Sequence, residues 1–281
     1  MSSTLCRPIG VFDSGLGGLS AVREIRRLLP HETIVYFGDT GRVPYGNRSR
    51  AIIRQYARQD AGFLLRRGVK AIVAACGTVS SVAGGLLKKE LPVPFTDVLE
   101  PTVRAALAAT QNGRIGVIAT SATIRSGSYR ARLESLAPAV QVFEQSCPLF
   151  VPIVESGFML EHPDITGEIA QTYLADLRKA GVDTVILGCT HYPILKRIIG
   201  EVVGESVRLI DSGRETARCC KTLLEQDNLC AGPDAQGGCS YYVSDRIDDF
   251  AKVAGIFLRE DVQEEVHLVD IEKQEGIGSI C

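Results

Sequence analysis

Neither sign of charge dominates this chain: 31 Lys and Arg stand against 33 Asp and Glu, for a net charge of -2. Long runs of one sign are missing as well. That leaves no basic patch to track a nucleic-acid backbone and no polybasic run for a membrane surface. No apolar run approaches the roughly 18 residues that a spanning helix needs. The opening residues, Met-Ser-Ser-Thr-Leu-Cys-Arg-Pro-Ile-Gly-Val-Phe-Asp-Ser-Gly, lack a basic region, an apolar core and a small-residue cleavage site. A secretory signal is therefore not read there. A cytoplasmic protein is expected, and cytoplasmic thiols stay reduced. Cys-x-x-Cys pairs are also missing, and Cys220, Cys230 and Cys239 have no common zinc spacing. So the nine cysteines are not read as a disulfide framework or as metal ligands. Most are expected to be buried, inert, small apolar side chains. His31, His162 and His267 are isolated and are expected at surface or capping positions.

What is present reads as an α/β protein. The length, 281 residues, suits roughly two domains. Short Val- and Ile-rich runs end at small polar residues or glycine: Ile9–Phe12, Thr33–Phe37, Ala71–Ala75, Ile115–Ala119 and Thr184–Leu187. Such runs are the pattern of buried parallel strands. Helix-length segments separate them, including Leu19–Leu29, Arg50–Arg66, Pro101–Gln111, Ser128–Ala137 and Gly167–Lys179. The alternation implies βαβ units and largely parallel sheets. The stretch Gly232–Gly238 reads as a surface loop, and Lys273–Cys281 as a poorly ordered tail.

A weak internal repeat adds more. Gly68-Val-Lys-Ala-Ile-Val-Ala-Ala-Cys76 echoes Gly181-Val-Asp-Thr-Val-Ile-Leu-Gly-Cys189, and Thr78 and Thr190 lie just beyond the two cysteines. Arg7-Pro-Ile-Gly-Val-Phe12 echoes Arg114-Ile-Gly-Val-Ile118. Any two buried strands look somewhat alike. The alternative is two related lobes, each placing a cysteine at the C-terminal end of a strand, the edge where open α/β sheets bind ligands.

Several residues at those edges are suited to chemistry. The glycine-rich Asp13-Ser-Gly-Leu-Gly-Gly-Leu-Ser20 follows a strand and opens a helix. It matches neither the dinucleotide fingerprint nor a P-loop. It serves as a tight turn or as an anion site at a helix start. Asp13 is a helix cap or a partner for a catalytic group. Cys76, at a helix N-terminus, is expected to have thiolate character. Cys189 has His191 two residues on as a candidate proton partner. Two opposed thiols suit inversion of a carbon next to a carboxylate, which needs a base on one face and an acid on the other.

In combination these segments resemble one family, the cofactor-independent glutamate racemases of the aspartate/glutamate racemase superfamily. The resemblance rests on Ile9-Gly-Val-Phe-Asp-Ser-Gly-Leu-Gly-Gly-Leu-Ser20, Tyr36-Phe-Gly-Asp-Thr-Gly-Arg-Val-Pro-Tyr-Gly46, Ala75-Cys-Gly-Thr78, Leu187-Gly-Cys-Thr-His-Tyr-Pro193 and Leu209-Ile-Asp-Ser-Gly213. It implies two similar lobes, each a mostly parallel sheet flanked by helices, with the substrate in the cleft between them. Residues 1–99 plus 211–281 would form the lobe carrying Asp13 and Cys76. Residues 100–210 would form the lobe carrying Cys189 and His191. The resemblance further implies interconversion of L- and D-glutamate without pyridoxal phosphate or metal, D-glutamate supply for bacterial peptidoglycan, and a homodimer. Cys76 and Cys189 would be the acid/base pair, assisted by Asp13 and His191 respectively. Ser14, Tyr45, Gly46, Thr78 and Thr190 would contact substrate. Glu155, in Val-Pro-Ile-Val-Glu-Ser-Gly157, matches a family carboxylate near the site.

One departure bears on the substrate. The family usually carries Cys-Asn-Thr where this chain has Cys76-Gly77-Thr78. Losing that Asn removes a hydrogen bond to a charged group, worth about 1.5–3 kcal/mol. Gly77 therefore leaves open a related racemase or decarboxylase acting on aspartate or another small acid. A non-enzymatic amino-acid binder is the third possibility, although a binder needs no thiol pair.

Overall fold

The fold is described from a computed structural model. It describes residues 4–245, 247–258, 260, 262 and 265–277. Two parallel sheets organise the chain. The first contains β1 (Ile9–Asp13), β2 (Thr33–Gly38), β3 (Ala71–Ala74), β4 (Phe95–Asp97), β9 (Gly238–Val243) and β10 (Val266–Leu268), in the order β10-β9-β2-β1-β3-β4. The second contains β5 (Arg114–Ala119), β6 (Gln141–Ser146), β7 (Thr184–Leu187) and β8 (Arg208–Asp211), in the order β6-β5-β7-β8. Around the first sheet lie α1 (Leu19–Leu28), α2 (Arg50–Arg66), α3 (Gly77–Glu90), α11 (Ser212–Gln226) and α12 (Ile247–Leu258). The second carries α4 (Leu99–Ala109), α5 (Ser121–Ser126), α6 (Ser128–Leu136), α7 (Phe150–Glu155), α8 (Phe158–Glu161), α9 (Pro163–Lys179) and α10 (Lys196–Val203). Every strand pair among the described residues is parallel, so the C-terminal strand ends of each sheet share one edge.

The internal repeat has a structural counterpart. β1 pairs with β3, placing Gly10 opposite Ile72, and β5 pairs with β7, placing Gly116 opposite Val185. A Cβ on Gly10 would lie 3.1 Å from Leu64 of α2. One on Gly116 would lie 2.5 Å from Leu177 of α9. Each glycine thus lets the helix preceding the cysteine strand settle on its neighbour. Gly68 and Gly181 close those helices with φ of +70° and +64°, a region that glycine enters without steric cost. The shared Gly-Val, strand, Cys pattern is one mechanical unit used twice.

β4, β6, β8, β9 and β10 go beyond the five strands read from sequence. β4 and β10 are only three residues long, and most of β6 is partly exposed or exposed, so a search for buried apolar runs passes over them. The tail expectation is corrected for residues 273–277. Arg66 Nη1 donates to the Glu275 carbonyl at 2.9 Å, and Ile277 is 3% exposed in the α2 cluster. Residues 278–281 lie outside the described residues. Cys147 and Cys220 are buried, Cys219, Cys230 and Cys239 are half-buried, and Cys6 is exposed. All eight described cysteines are free thiols, and no cluster of metal-ligating type occurs among the described residues. No helix among the described residues is long and apolar enough to cross a membrane.

Candidate active site

The C-terminal edges of the two sheets enclose one cavity of about 660 Å³. Its lining includes every residue singled out from sequence: Asp13, Ser14, Tyr45, Gly46, Cys76, Gly77, Thr78, Glu155, Cys189, Thr190 and His191. β1 delivers Asp13 at its last position, and β3 ends two residues before Cys76. β7 ends two residues before Cys189. The glycine segment after β1 lies against the other lobe: a Cβ on Gly17 would come within 2.3 Å of Thr190 Oγ1 and 2.4 Å of His191 Nδ1.

On the first lobe, Cys76 Sγ donates to Ser14 Oγ at 3.3 Å. Asp13 is 3% exposed and accepts from the Gly18 N–H at 3.0 Å. Burial raises the Asp13 carboxyl above its ordinary range, opposed by the Gly18 N–H and the charge of His191. Burial and the adjacent Asp13 charge push the Cys76 thiol up to about 12. The expected thiolate character of Cys76 is thereby corrected. Although Cys76 caps α3, desolvation and a neighbouring carboxylate outweigh the helix terminus.

The second lobe is arranged differently. His191 Nδ1 lies 3.7 Å from Cys189 Sγ, and His191 Nε2 lies 2.9 Å from Glu155 Oε1. Burial disfavours the charged imidazole, but the bonds to Cys189 and Glu155 outweigh it and hold the pKa at about 10. The ring also meets the Phe257 edge at a centroid distance of 5.4 Å. An imidazolium fixed this way donates toward the Cys189 sulfur from one nitrogen and toward a carboxylate from the other.

Two other expectations about the site change. The N–H groups opening α1 are not free for an anion: Gly18 bonds Asp13, while Leu19, Ser20 and Ala21 bond the Leu16, Gly17 and Gly18 carbonyls. The glycine segment is a turn that packs against the second lobe. The Tyr45 hydroxyl is taken by Asp39 and Asp60, so it is not free for a substrate, although Tyr45 remains in the cavity lining. By contrast, the Gly77 and Thr78 N–H groups at the start of α3 have no acceptor among the described residues. Two wall elements lie beyond the residues named from sequence. Thr120 and α5 follow β5 at the same edge as Cys189, so the Thr-Ser after that strand was a usable signal. Phe250 and Val253 of α12 come from far along the chain and carry no local signal.

The sequence model of the Asp/Glu/hydantoin racemase family matches residues 10–220. A glutamate racemase of Geobacter metallireducens is 46% identical over 252 residues, covering 90% of this chain and 93% of the relative. Among solved structures, a glutamate racemase isoform from Bacillus anthracis superposes with a TM-score of 0.88 at 35% identity, covering 94% of this chain and 97% of that one. A glutamate racemase from Francisella tularensis in complex with D-glutamate gives 0.87 at 37% identity, covering 95% and 99%. With that match across most of its length and two sheets in the same arrangement, the chain belongs to the Asp/Glu/hydantoin racemase family.

Proposed function

We propose that this protein interconverts L- and D-glutamate by passing the α-proton between Cys76 and Cys189. The observation that carries this reading is the pair of thiols at equivalent strand ends of two lobes, opening into one cavity. A thiolate on one side takes the α-proton and becomes a thiol. The opposite thiol gives its proton to the other face of the same carbon and becomes a thiolate. The reverse reaction swaps the roles, so no net proton or charge is consumed. The Gly77 and Thr78 N–H groups are free to bind the α-carboxylate and the charge that develops beside it. Asp13 serves Cys76. His191, held by Glu155, complements a thiolate at Cys189. Ser14, Tyr45, Gly46 and Thr190 complete the substrate contacts.

The same reading places the enzyme in the cytoplasm as a homodimer, supplying D-glutamate for peptidoglycan, with lobes of residues 1–99 plus 211–281 and 100–210. Its two-thiol chemistry requires neither pyridoxal phosphate nor a metal. Incubation with L- and D-glutamate in D₂O, followed by circular dichroism and α-proton NMR, tests it. Loss of optical activity with α-deuteration is expected. Unchanged rotation and no exchange for either enantiomer would overturn it.

Gly77 has a steric reason that does not require another substrate. A Cβ there would lie 2.9 Å from the Gly188 carbonyl of the opposite lobe. The Gly188 N–H is bonded to the Ile118 carbonyl at 2.8 Å, so this backbone cannot easily retreat. Gly77→Asn is expected to lower kcat/KM for glutamate about tenfold or more, because small displacements of positioned groups are costly. A strong rise in glutamate turnover would instead identify aspartate or another acid as the natural substrate. Steady-state rates on both amino acids separate the outcomes.

A further inference from the structure

Behind one wall of the cavity lies a buried polar cluster that takes no part in the proposed proton transfer. Asp39 and Asp60 are both 0% exposed, Tyr45 is 1% exposed and Arg42 is 7% exposed. Arg42 donates from Nε to Asp39 Oδ2 at 2.6 Å and from Nη2 to Asp60 Oδ1 at 3.0 Å. Its third contact is Gln59 Oε1 at 2.6 Å, and its guanidinium stacks 3.9 Å from the Tyr56 ring centre. The Tyr45 oxygen sits between the carboxyl groups, bonded to Asp39 and lying 2.9 Å from Asp60 Oδ2.

Counting protons makes the cluster unusual. Tyr45 has one hydrogen to give and two carboxyl groups within reach. Two buried carboxylates would also exceed the single positive charge of Arg42. Both problems vanish if one carboxyl keeps its proton. Asp39 already accepts from Arg42, Tyr45 and Ser244 Oγ, the last at 2.7 Å, and is suited to be the charged member. Among the described residues Asp60 Oδ2 has only Tyr45, to which a carboxyl O–H would donate.

The cluster also sits where it controls the cavity. Thr40, Val43, Pro44, Tyr45, Gly46 and Asn47 all line it, and Arg42 and Tyr45 tie this segment to α2 through Asp60. The Asp39 N–H donates to the Asp13 carbonyl at 3.0 Å. Ser244 joins Asp39 to the chain entering α12, whose Phe250 and Val253 line the cavity. We propose that Asp60 carries the extra proton of an Asp39–Tyr45–Asp60 triad, and that this triad is the positioning device holding the Thr40–Asn47 wall against the substrate.

The electrostatics point the same way. Burial first, and then the charge of Asp39, hold the Asp60 carboxyl well above the usual range, with Arg42 and Tyr45 opposing and Asp13 adding to the rise. Folding at a pH above about 4, the ordinary Asp value, therefore takes up a proton at Asp60. Its contribution to stability falls as pH rises from there toward the elevated folded value. Asn is the isostere of the protonated form: its oxygen accepts from Arg42 and its amide donates to Tyr45.

Two measurements test this, and the first is independent of the glutamate reading. Thermal unfolding of wild type and Asp60→Asn is followed from pH 4 to pH 8. The melting-temperature difference, variant minus wild type, is expected to grow with pH. A difference that is flat, or that falls with pH, means Asp60 is ionised and overturns the proposal. The second measurement rests on the glutamate reading and compares KM with kcat. Asp60→Asn is expected to hold KM within about twofold. Asp60→Ala, which removes the anchor, should raise KM about tenfold with kcat nearly unchanged. Equal KM values for the two variants, or a loss confined to kcat, would remove the positioning role. Should wild type fail to racemise glutamate, the pH series still decides where the proton resides.

Discussion

Cys76→Ala and Cys189→Ala are each expected to lower glutamate racemisation about 10²–10⁴-fold, the range for losing a positioned acid or base. The two variants should nevertheless fail differently. In a two-face mechanism each thiol touches the α-hydrogen of only one enantiomer. With Cys76 gone, Cys189 can still remove and return a proton on its own face. That variant should exchange the α-hydrogen of one enantiomer with D₂O without inverting it. The Cys189→Ala variant should exchange the other enantiomer. Side-by-side NMR on the L and D substrates reads this directly, and exchange of the same enantiomer by both variants would refute opposed thiols. Cys230→Ala is the control: it is half-buried, outside the cavity lining, and should racemise like wild type. The two thiols also begin from different environments. Cys76 is held as a neutral thiol by burial and Asp13, while Cys189 faces a charged His191.

Gly17→Ala carries the next largest expected effect. Its new methyl group would lie 2.3 Å from Thr190 Oγ1, 2.4 Å from His191 Nδ1 and 2.6 Å from His191 Cε1. Carbon and nitrogen cannot approach so closely, so something must move. His191 has little room, since Glu155 holds Nε2 at 2.9 Å and Phe257 backs the ring. Either His191 leaves Cys189 or the lobes part. Both displace reacting groups by about an ångström, which is expected to cost about 10²-fold in kcat. The alkaline limb of the pH–rate profile should also move. His191 keeps its charge up to about pH 10 only through Cys189 and Glu155, so loosening those contacts brings the limb down. Gly85→Ala, with none of the described residues within 4 Å of the added carbon, should leave kcat and the profile unchanged.

Much of this was legible locally. Strand tips at Asp13, Cys76 and Cys189 follow from apolar runs that stop at small residues, because a buried parallel strand must be apolar along its whole length. The repeat was visible because the same close helix-on-strand contact recurs in both sheets. It demands glycine at 10 and 116 and left-handed glycine at 68 and 181. The Thr-Ser after β5 marks a further wall of the site.

Other features were out of reach for physical reasons. Cys76 sits at a helix start, and that local rule predicts a lowered thiol pKa. Its actual direction depends on how completely α3, β1 and Asp13 exclude water around it. Asp39 and Asp60 are 21 positions apart and look like ordinary acidic residues in the sequence. Only the packing of α2 beneath the Thr40–Asn47 segment makes them share Arg42 and Tyr45. Likewise, Gly77 read alone suggests a missing substrate contact, and it is the Gly188 carbonyl at 2.9 Å that supplies a steric reason. The sequence by itself determined which residues sit at strand ends and that two thiols were available, since those depend on period and backbone conformation. The tertiary structure decided their protonation, their partners and the closeness of the two lobes, since burial and charge act between segments that the chain order keeps apart.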